Sequence, residues 1–140
     1  MRKKEKKTTF QELVKIMARL RAPGGCPWDR EQTHQSLLRY LREESEEVCH
    51  AVQRNDMDNL KEELGDVLLQ ILFHAEIAEE RGDFDITDIL RILKKKLVSR
   101  HPHVFDKKKN KETLTADEVK KRWKIMKKKE EARKHRNLKK

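Results

Sequence analysis

The sequence predicts an all-α fold, a bundle of four to five helices around a central antiparallel hairpin. Three observations support it: apolar residues recur at spacings of three, four and seven, capping signals precede these runs, and no stretch alternates as a strand would. Hydrophobic residues make up only 35% of the 140-residue chain against 43% charged, a ratio that would suggest disorder if the apolar residues were scattered. They are concentrated between Phe10 and Phe105, which places the core centrally and leaves the flanks basic. One domain over residues 9–130 is expected, with basic tails at 1–8 and 131–140.

The first helix is expected to start at Thr9, where the hydroxyl caps free N–H groups and Glu12 completes a capping box. Phe10, Leu13, Val14, Met17 and Leu20 form its stripe, and it ends before Pro23. The segment Arg21–Thr33 gathers Pro23, Gly24, Gly25 and Pro27 and reads as an ordered loop carrying Trp28. A second helix runs from about Thr33 to Arg54 on Leu37, Leu41, Val48 and Val52. After the turn Asn55-Asp56-Met57, Asp58 is expected to cap a third helix. Its apolar face comprises Leu60, Leu64, Val67, Leu68, Ile71, Ala75 and Ala78, and Gly82 supplies the left-handed stop. So short a connection makes the second and third helices antiparallel neighbours. A fourth helix spans about Thr87 to Arg100, with Pro102 disrupting its continuation, and a fifth follows the Thr115/Glu118 capping box with Val119, Trp123 and Met126 on one face.

Charge and cysteine usage exclude several classes. No apolar run reaches the roughly 18 residues of a membrane span, and the N-terminus lacks a signal peptide's apolar region, so a cytoplasmic protein with no membrane partner is expected. Cys26 and Cys49 have neither a CxxC nor a Cys/His zinc spacing and read as reduced thiols. The net charge of +10 suits a polyanionic partner, either nucleic acid or nucleotide phosphates, but equally suits a solvated ion-rich surface.

Chemistry concentrates in two acidic runs, Glu43–Glu47 and Glu62–Asp66. Glu44 and Glu47 lie three residues apart, as do Glu63 and Asp66, so each pair projects from one side of its helix. At 100° per residue Glu44 falls about 60° from Leu41 and about 40° from Val48, and Glu63 about 100° from Leu64, on the margins of the apolar stripes. Antiparallel packing could bring all four carboxylates together. None of the four has Lys or Arg three or four residues away, in a chain with 35 such residues, whereas Glu43 has Arg39 and Glu46 has Arg42. Converging carboxylates without a cation must protonate or destabilise the fold, so the pattern points to a bound metal. An all-oxygen set selects Mg²⁺, with Mn²⁺ as the second choice, and Mg²⁺ commonly shares its sphere with substrate phosphates. A di-iron bundle needs Glu-x-x-His on two helices, and only Glu47-Val-Cys-His50 provides one.

With these residues in place the sequence resembles the MazG family. The family's EExxE and ExxD motifs are matched by Glu43, Glu44, Glu47, Glu63 and Asp66. They are accompanied by GGCPWDREQTHQSL from Gly24, ELGDVLLQ from Glu63 and RHPHVF from Arg100. The resemblance covers about residues 10 to 130 and implies an all-α Mg²⁺-dependent hydrolase that converts a nucleoside triphosphate into the monophosphate and pyrophosphate. It implies metal ligation by Glu44, Glu47, Glu63 and Asp66, and a homodimer or higher homo-oligomer. Glu43 is assigned a supporting role in orienting water or a second metal, with a salt bridge to Arg39 as its other reading. Trp28 is a candidate for stacking on the base or for anchoring the loop. Lys96, Arg100 and Lys127, with Trp123, are candidates for substrate binding, although solvated lysines and a packed Trp123 fit the same pattern. Many members carry two such domains. This chain has one copy, its CPWD segment resembling the N-terminal one, so catalytic competence is an expectation. The alternative expectation is a non-catalytic regulatory or nucleic-acid-binding module that uses the basic tails.

Overall fold

The computed structural model describes residues 5–106, 108 and 113–138; the first four residues and the last two of the expected tails lie outside them. Seven helices and no strand occur among the described residues: α1 (Phe10–Arg21), α2 (Pro27–Glu31), α3 (His34–Gln53), α4 (Met57–Arg81), α5 (Ile86–Ser99), α6 (Pro102–Phe105) and α7 (Ala116–Leu138). The fold is all-α, as the periodicity requires. Backbone contacts group the chain into two compact units, Met1–Ile89 and Leu90–Lys140.

In the first unit, Thr9 and Glu12 form the expected capping box. The Pro/Gly segment differs from expectation, because Pro27 at N1 starts α2 inside what the composition marks as loop. Proline's fixed φ and missing N–H suit that first helical position. The glycines before it are needed sterically: Gly24 has φ +83°, and a Cβ on Gly25 would collide with the Leu20 carbonyl oxygen at the end of α1. The Leu20 carbonyl instead accepts from the Cys26 N–H at 2.8 Å.

Thr33 caps α3 by exchanging bonds with Ser36. Asn55, at φ +53°, then reverses the chain, and Asp56 rather than Asp58 caps α4, accepting from the Asn59 N–H at 3.1 Å. The turn closes two residues earlier than the sequence suggests, and Asp58 falls in the first helical turn beside Lys61. Gly82 ends α4 in the left-handed conformation, as expected.

The antiparallel hairpin is present. His34 at the start of α3 meets His74 late in α4, and Glu44 further along α3 meets Glu63 near the start of α4. The core joins Met17 of α1, Leu37 of α3 and Leu72, Phe73 and Ile77 of α4, with Leu13, Val14, Tyr40 and Leu68 packed against it. This corrects the expected face of α4 in part: Ala75 and Ala78 are buried and Leu68 packs on the core as expected, but Leu64 and Ile71 are exposed, at 51% and 41%, while Leu72, Phe73 and Ile77 are buried. Because α4 carries apolar residues on nearly all sides, spacing alone does not select the face that packs.

Beyond it, Asp85 and Asp88 exchange reciprocal bonds that start α5, a cap absent from the sequence reading. In the second unit Pro102 opens the short helix α6 rather than only interrupting α5. The Thr115 hydroxyl accepts from the Glu118 N–H at 3.3 Å before α7, which continues as helix through Leu138, past the expected start of the tail.

Candidate metal centre

The acidic motifs meet where α3 and α4 face each other. Carboxylate oxygens of Glu44, Glu63 and Asp66 lie within 4.8 Å of one another. Glu63 is buried, and Glu44 and Asp66 are partly so. Glu47 is exposed at the rim and hydrogen-bonds to Glu63, so it borders the cluster without being one of its three converging groups. Among the described residues none of the four forms an ion pair with Lys or Arg.

Electrostatics register this crowding. The hydrogen bond to Glu47, reinforced by burial and by repulsion from Glu47, Asp66 and Glu44, pushes the Glu63 carboxyl up to about 7. Burial, then repulsion from Asp66 and Glu47, raises Glu44 as well. Oε2 of Glu44 and Oε2 of Glu63 are both buried with no hydrogen-bond partner. A buried carboxylate oxygen without a donor is costly. A hard divalent cation would relieve both the desolvation and the repulsion. Glu44, Glu63 and Asp66 would hold such an ion through oxygen atoms alone, the donor type that Mg²⁺ prefers.

The remaining candidates have other partners. Glu43 bonds Arg39 at 3.1 Å, the second of its two sequence readings. Glu46 pairs with His50 at 3.2 Å rather than with Arg42. Trp28, 48% exposed, stands edge-on to Tyr40 and Phe73 with ring centroids at 5.7 and 6.4 Å. Tyr40 is one turn before Glu44 on α3, and Phe73 is about two turns beyond Asp66 on α4, so the indole lies along the hairpin between the carboxylates and the His34–His74 pair. In the second unit Arg100 grips Glu130 at 2.6 Å, and both Arg100 and Lys127 lie over the Trp123 ring, at 5.3 and 5.8 Å. Lys96 contributes to holding the Glu130 carboxyl below its usual value, after the larger effect of Arg100. The His101 ring bonds the Leu97 carbonyl at 2.6 Å, which makes it a helix-end cap.

The carboxylate geometry agrees with comparisons to known proteins. Residues 32–105, which contain both acidic motifs, match the profile of the MazG nucleotide pyrophosphohydrolase domain. The chain belongs to the MazG family. It is 58% identical over 102 residues to the nucleoside triphosphate pyrophosphohydrolase/pyrophosphatase MazG of Thermotoga maritima, a match covering 73% of this chain and 40% of that one. It is 46% identical over 126 residues to the nucleoside triphosphate pyrophosphohydrolase of Escherichia coli strain K12, covering 89% of this chain and 47% of that one. The chain thus spans less than half the length of these curated relatives. The crystal structure of a mazG-related protein from Thermotoga maritima superposes with a TM-score of 0.68 at 34% identity, covering 84% of this chain and 98% of that one. No helix among the described residues is long and apolar enough to cross a membrane.

Sequence reasoning missed several structural residues elsewhere in the first unit. Arg21 reads only as the edge of a loop, yet its side chain is buried and bonded to Glu80. His34 and His74 stack with their rings 3° from parallel and Nδ1 atoms 2.7 Å apart. These partners lie 59 and 40 positions apart, beyond any helical or strand periodicity.

Proposed function

We propose that this MazG-family chain hydrolyses nucleoside triphosphates between the α- and β-phosphates in a Mg²⁺-dependent reaction, with Mn²⁺ as a substitute. The observation that carries the reading is the convergence of Glu44, Glu63 and Asp66, two of them with orphaned buried oxygens, and none of them ion-paired to Lys or Arg among the described residues. Such a set is suited to a hard metal ion and poorly suited to stand alone. The names of the relatives support the same reaction.

Water adds to the α-phosphorus, the bond from that phosphorus to the bridging oxygen breaks, and pyrophosphate leaves with the bond's electron pair. A bound Mg²⁺ supplies charge neutralisation at the phosphate oxygens and a lowered pKa for the attacking water. Glu44, Glu63 and Asp66 would hold the ion. Glu47 orients Glu63 through their hydrogen bond and is the fourth candidate ligand. Glu43, tied to Arg39, lies at the outer edge, where water orientation competes with that ion pair. Trp28, about half exposed, is the proposed contact for the base. Arg100, Lys96 and Lys127 are the proposed phosphate contacts, and a phosphate reaching Arg100 must compete with Glu130.

A homodimer is part of this proposal, supported by the exposed Leu64 and Ile71, two turns apart on one face of α4; sedimentation at a monomer's mass would refute it. The nucleic-acid module has the basic α7 in its favour, but the carboxylate cluster would repel a phosphate backbone.

A pyrophosphate-release assay over a panel of NTPs and dNTPs with Mg²⁺ tests the proposal. Release is expected from the unaltered chain, and Glu63→Ala should reduce it at least a hundredfold, by analogy with the loss of other preorganised groups, with an unchanged helical circular-dichroism spectrum. Absence of release with every substrate, or full activity in Glu63→Ala, would refute it.

A further inference from the structure

The five-residue helix α2 is too short to be stable by its own hydrogen bonds, so its orientation must come from tertiary contacts. One side chain supplies several of them. Nη1 of Arg21 donates to the carbonyl oxygens of Asp29 and Gln32, the latter at 3.1 Å, at the C-terminal end of α2, where the Asp29 carbonyl otherwise accepts only a long bond from the Gln32 N–H at 3.4 Å. Nε and Nη2 of the same guanidinium bind the two oxygens of Glu80 on α4, at 2.9 and 3.0 Å. The Arg21 side chain is only 7% exposed. The end of α1, the end of α2 and the last turns of α4 are therefore tied through a single planar group.

What this tie holds in place is Trp28. Its ring touches Tyr40 and Phe73 only by edges, and about half of its surface stays open. Tyr40 precedes Glu44 by four residues, about 6 Å along the axis of α3, and Phe73 follows Asp66 by seven, about 10 Å along α4, so the indole stands within about two or three turns of the carboxylates along the hairpin, within the reach of an extended nucleotide from base to phosphates. We infer that Arg21 is a positioning residue that fixes α2 so that Trp28 presents a stacking platform to the nucleobase while the phosphates lie at the Glu44–Glu63–Asp66 cluster. This rests on the pyrophosphohydrolase reading. Every base has a π-face, so such a platform favours nucleotides over inorganic polyphosphates without selecting strongly among bases. Lysine cannot replace the arginine here, because its compact ammonium cannot grip a carboxylate bidentately and two carbonyls at once.

The experiment compares the full chain with Arg21→Lys, Trp28→Ala and the double variant. Three quantities are measured: KM and kcat for an NTP, the inhibition constant of inorganic tripolyphosphate, and the indole N–H NMR resonance of Trp28, assigned by its loss in Trp28→Ala. Expected are a rise in KM of about tenfold in Arg21→Lys, kcat within about twofold, an unchanged inhibition constant for tripolyphosphate, and a displaced Trp28 resonance. The double variant should be no worse than Trp28→Ala alone, because both changes remove one interaction. Equal losses for the nucleotide and for tripolyphosphate, a fall in kcat at constant KM, or additive effects in the double variant would overturn the inference. If Arg21→Lys does not fold, Glu80→Gln, which weakens the grip and leaves the carbonyl bonds, should raise KM in the same sense by a smaller factor; an unchanged KM would overturn the inference. Titration with a non-hydrolysable α,β-methylene nucleotide separates the two readings. If the unaltered chain releases no pyrophosphate, the reaction falls while a Trp28 shift on binding still supports the platform. A nucleotide that binds without moving that resonance refutes the platform even in an active enzyme.

Discussion

Lowering the pH from 8 to 6 should weaken Mg²⁺ binding about tenfold. The magnitude follows from Glu63, whose carboxyl is raised to about 7 mainly by its hydrogen bond to Glu47. A carboxyl with that value is about nine-tenths ionised at pH 8, half ionised at pH 7 and one-tenth ionised at pH 6. Since the metal binds the ionised form, occupation should release about half a proton per ion from Glu63 at pH 7 and nearly a whole one at pH 6. Glu44, raised by burial and by Asp66, strengthens the trend toward lower pH. The sign for stability follows from the same shift. A carboxyl raised on folding favours the folded state at low pH, so its contribution in the metal-free chain is lost as pH rises from its ordinary value of 4.5 through about 7. Stabilisation by Mg²⁺ should therefore grow over that interval. Isothermal titration in two buffers of different ionisation enthalpy, at pH 6, 7 and 8, measures both affinity and proton release. Equal affinities across that range, with heats independent of buffer, would refute the electrostatic account of the cluster.

Other outcomes follow from the packing. Leu37, fully buried between α1, α3 and α4, should cost about 2 to 5 kcal/mol when changed to Ala, read by urea unfolding. A loss below 1 kcal/mol would mean that the hairpin does not depend on this core. Gly82→Ala places a Cβ at φ +74° and should cost about 1 to 2 kcal/mol although nothing blocks the side chain, which makes it a test of backbone strain alone. Thermal denaturation with no fall in midpoint would contradict it. His74 is held below its ordinary value by burial and by His34, so the stability it contributes is present above that value and lost as pH falls through about 6.5. His74 and Glu63 thus act in opposite senses, so His74→Phe should make metal-free stability rise more, or fall less, as pH is lowered from 7.5 to 5.5 than in the unaltered chain, and an unchanged pH dependence would refute the His74 contribution.

Local chemistry in the sequence determined much of this chain. Thr9 with Glu12 and Gly82 each fix a helix end through atoms within a few residues, and a short connection forces α3 and α4 to run antiparallel. The absence of Lys and Arg beside Glu44, Glu47, Glu63 and Asp66 was legible for the same reason: helical neighbours lie three and four positions apart. Only the tertiary structure decided which face of α4 packs, because Leu64, Ile71, Leu72 and Phe73 leave periodicity undecided until α1 and α3 take one side. It also separated Glu47 at the rim from the three carboxylates that converge, and converted an apparent Pro/Gly loop into a helix held by Arg21. Contacts such as Arg21 with Glu80 join residues 59 positions apart, so they depend on where whole helices come to rest. A one-dimensional pattern carries no term for that distance.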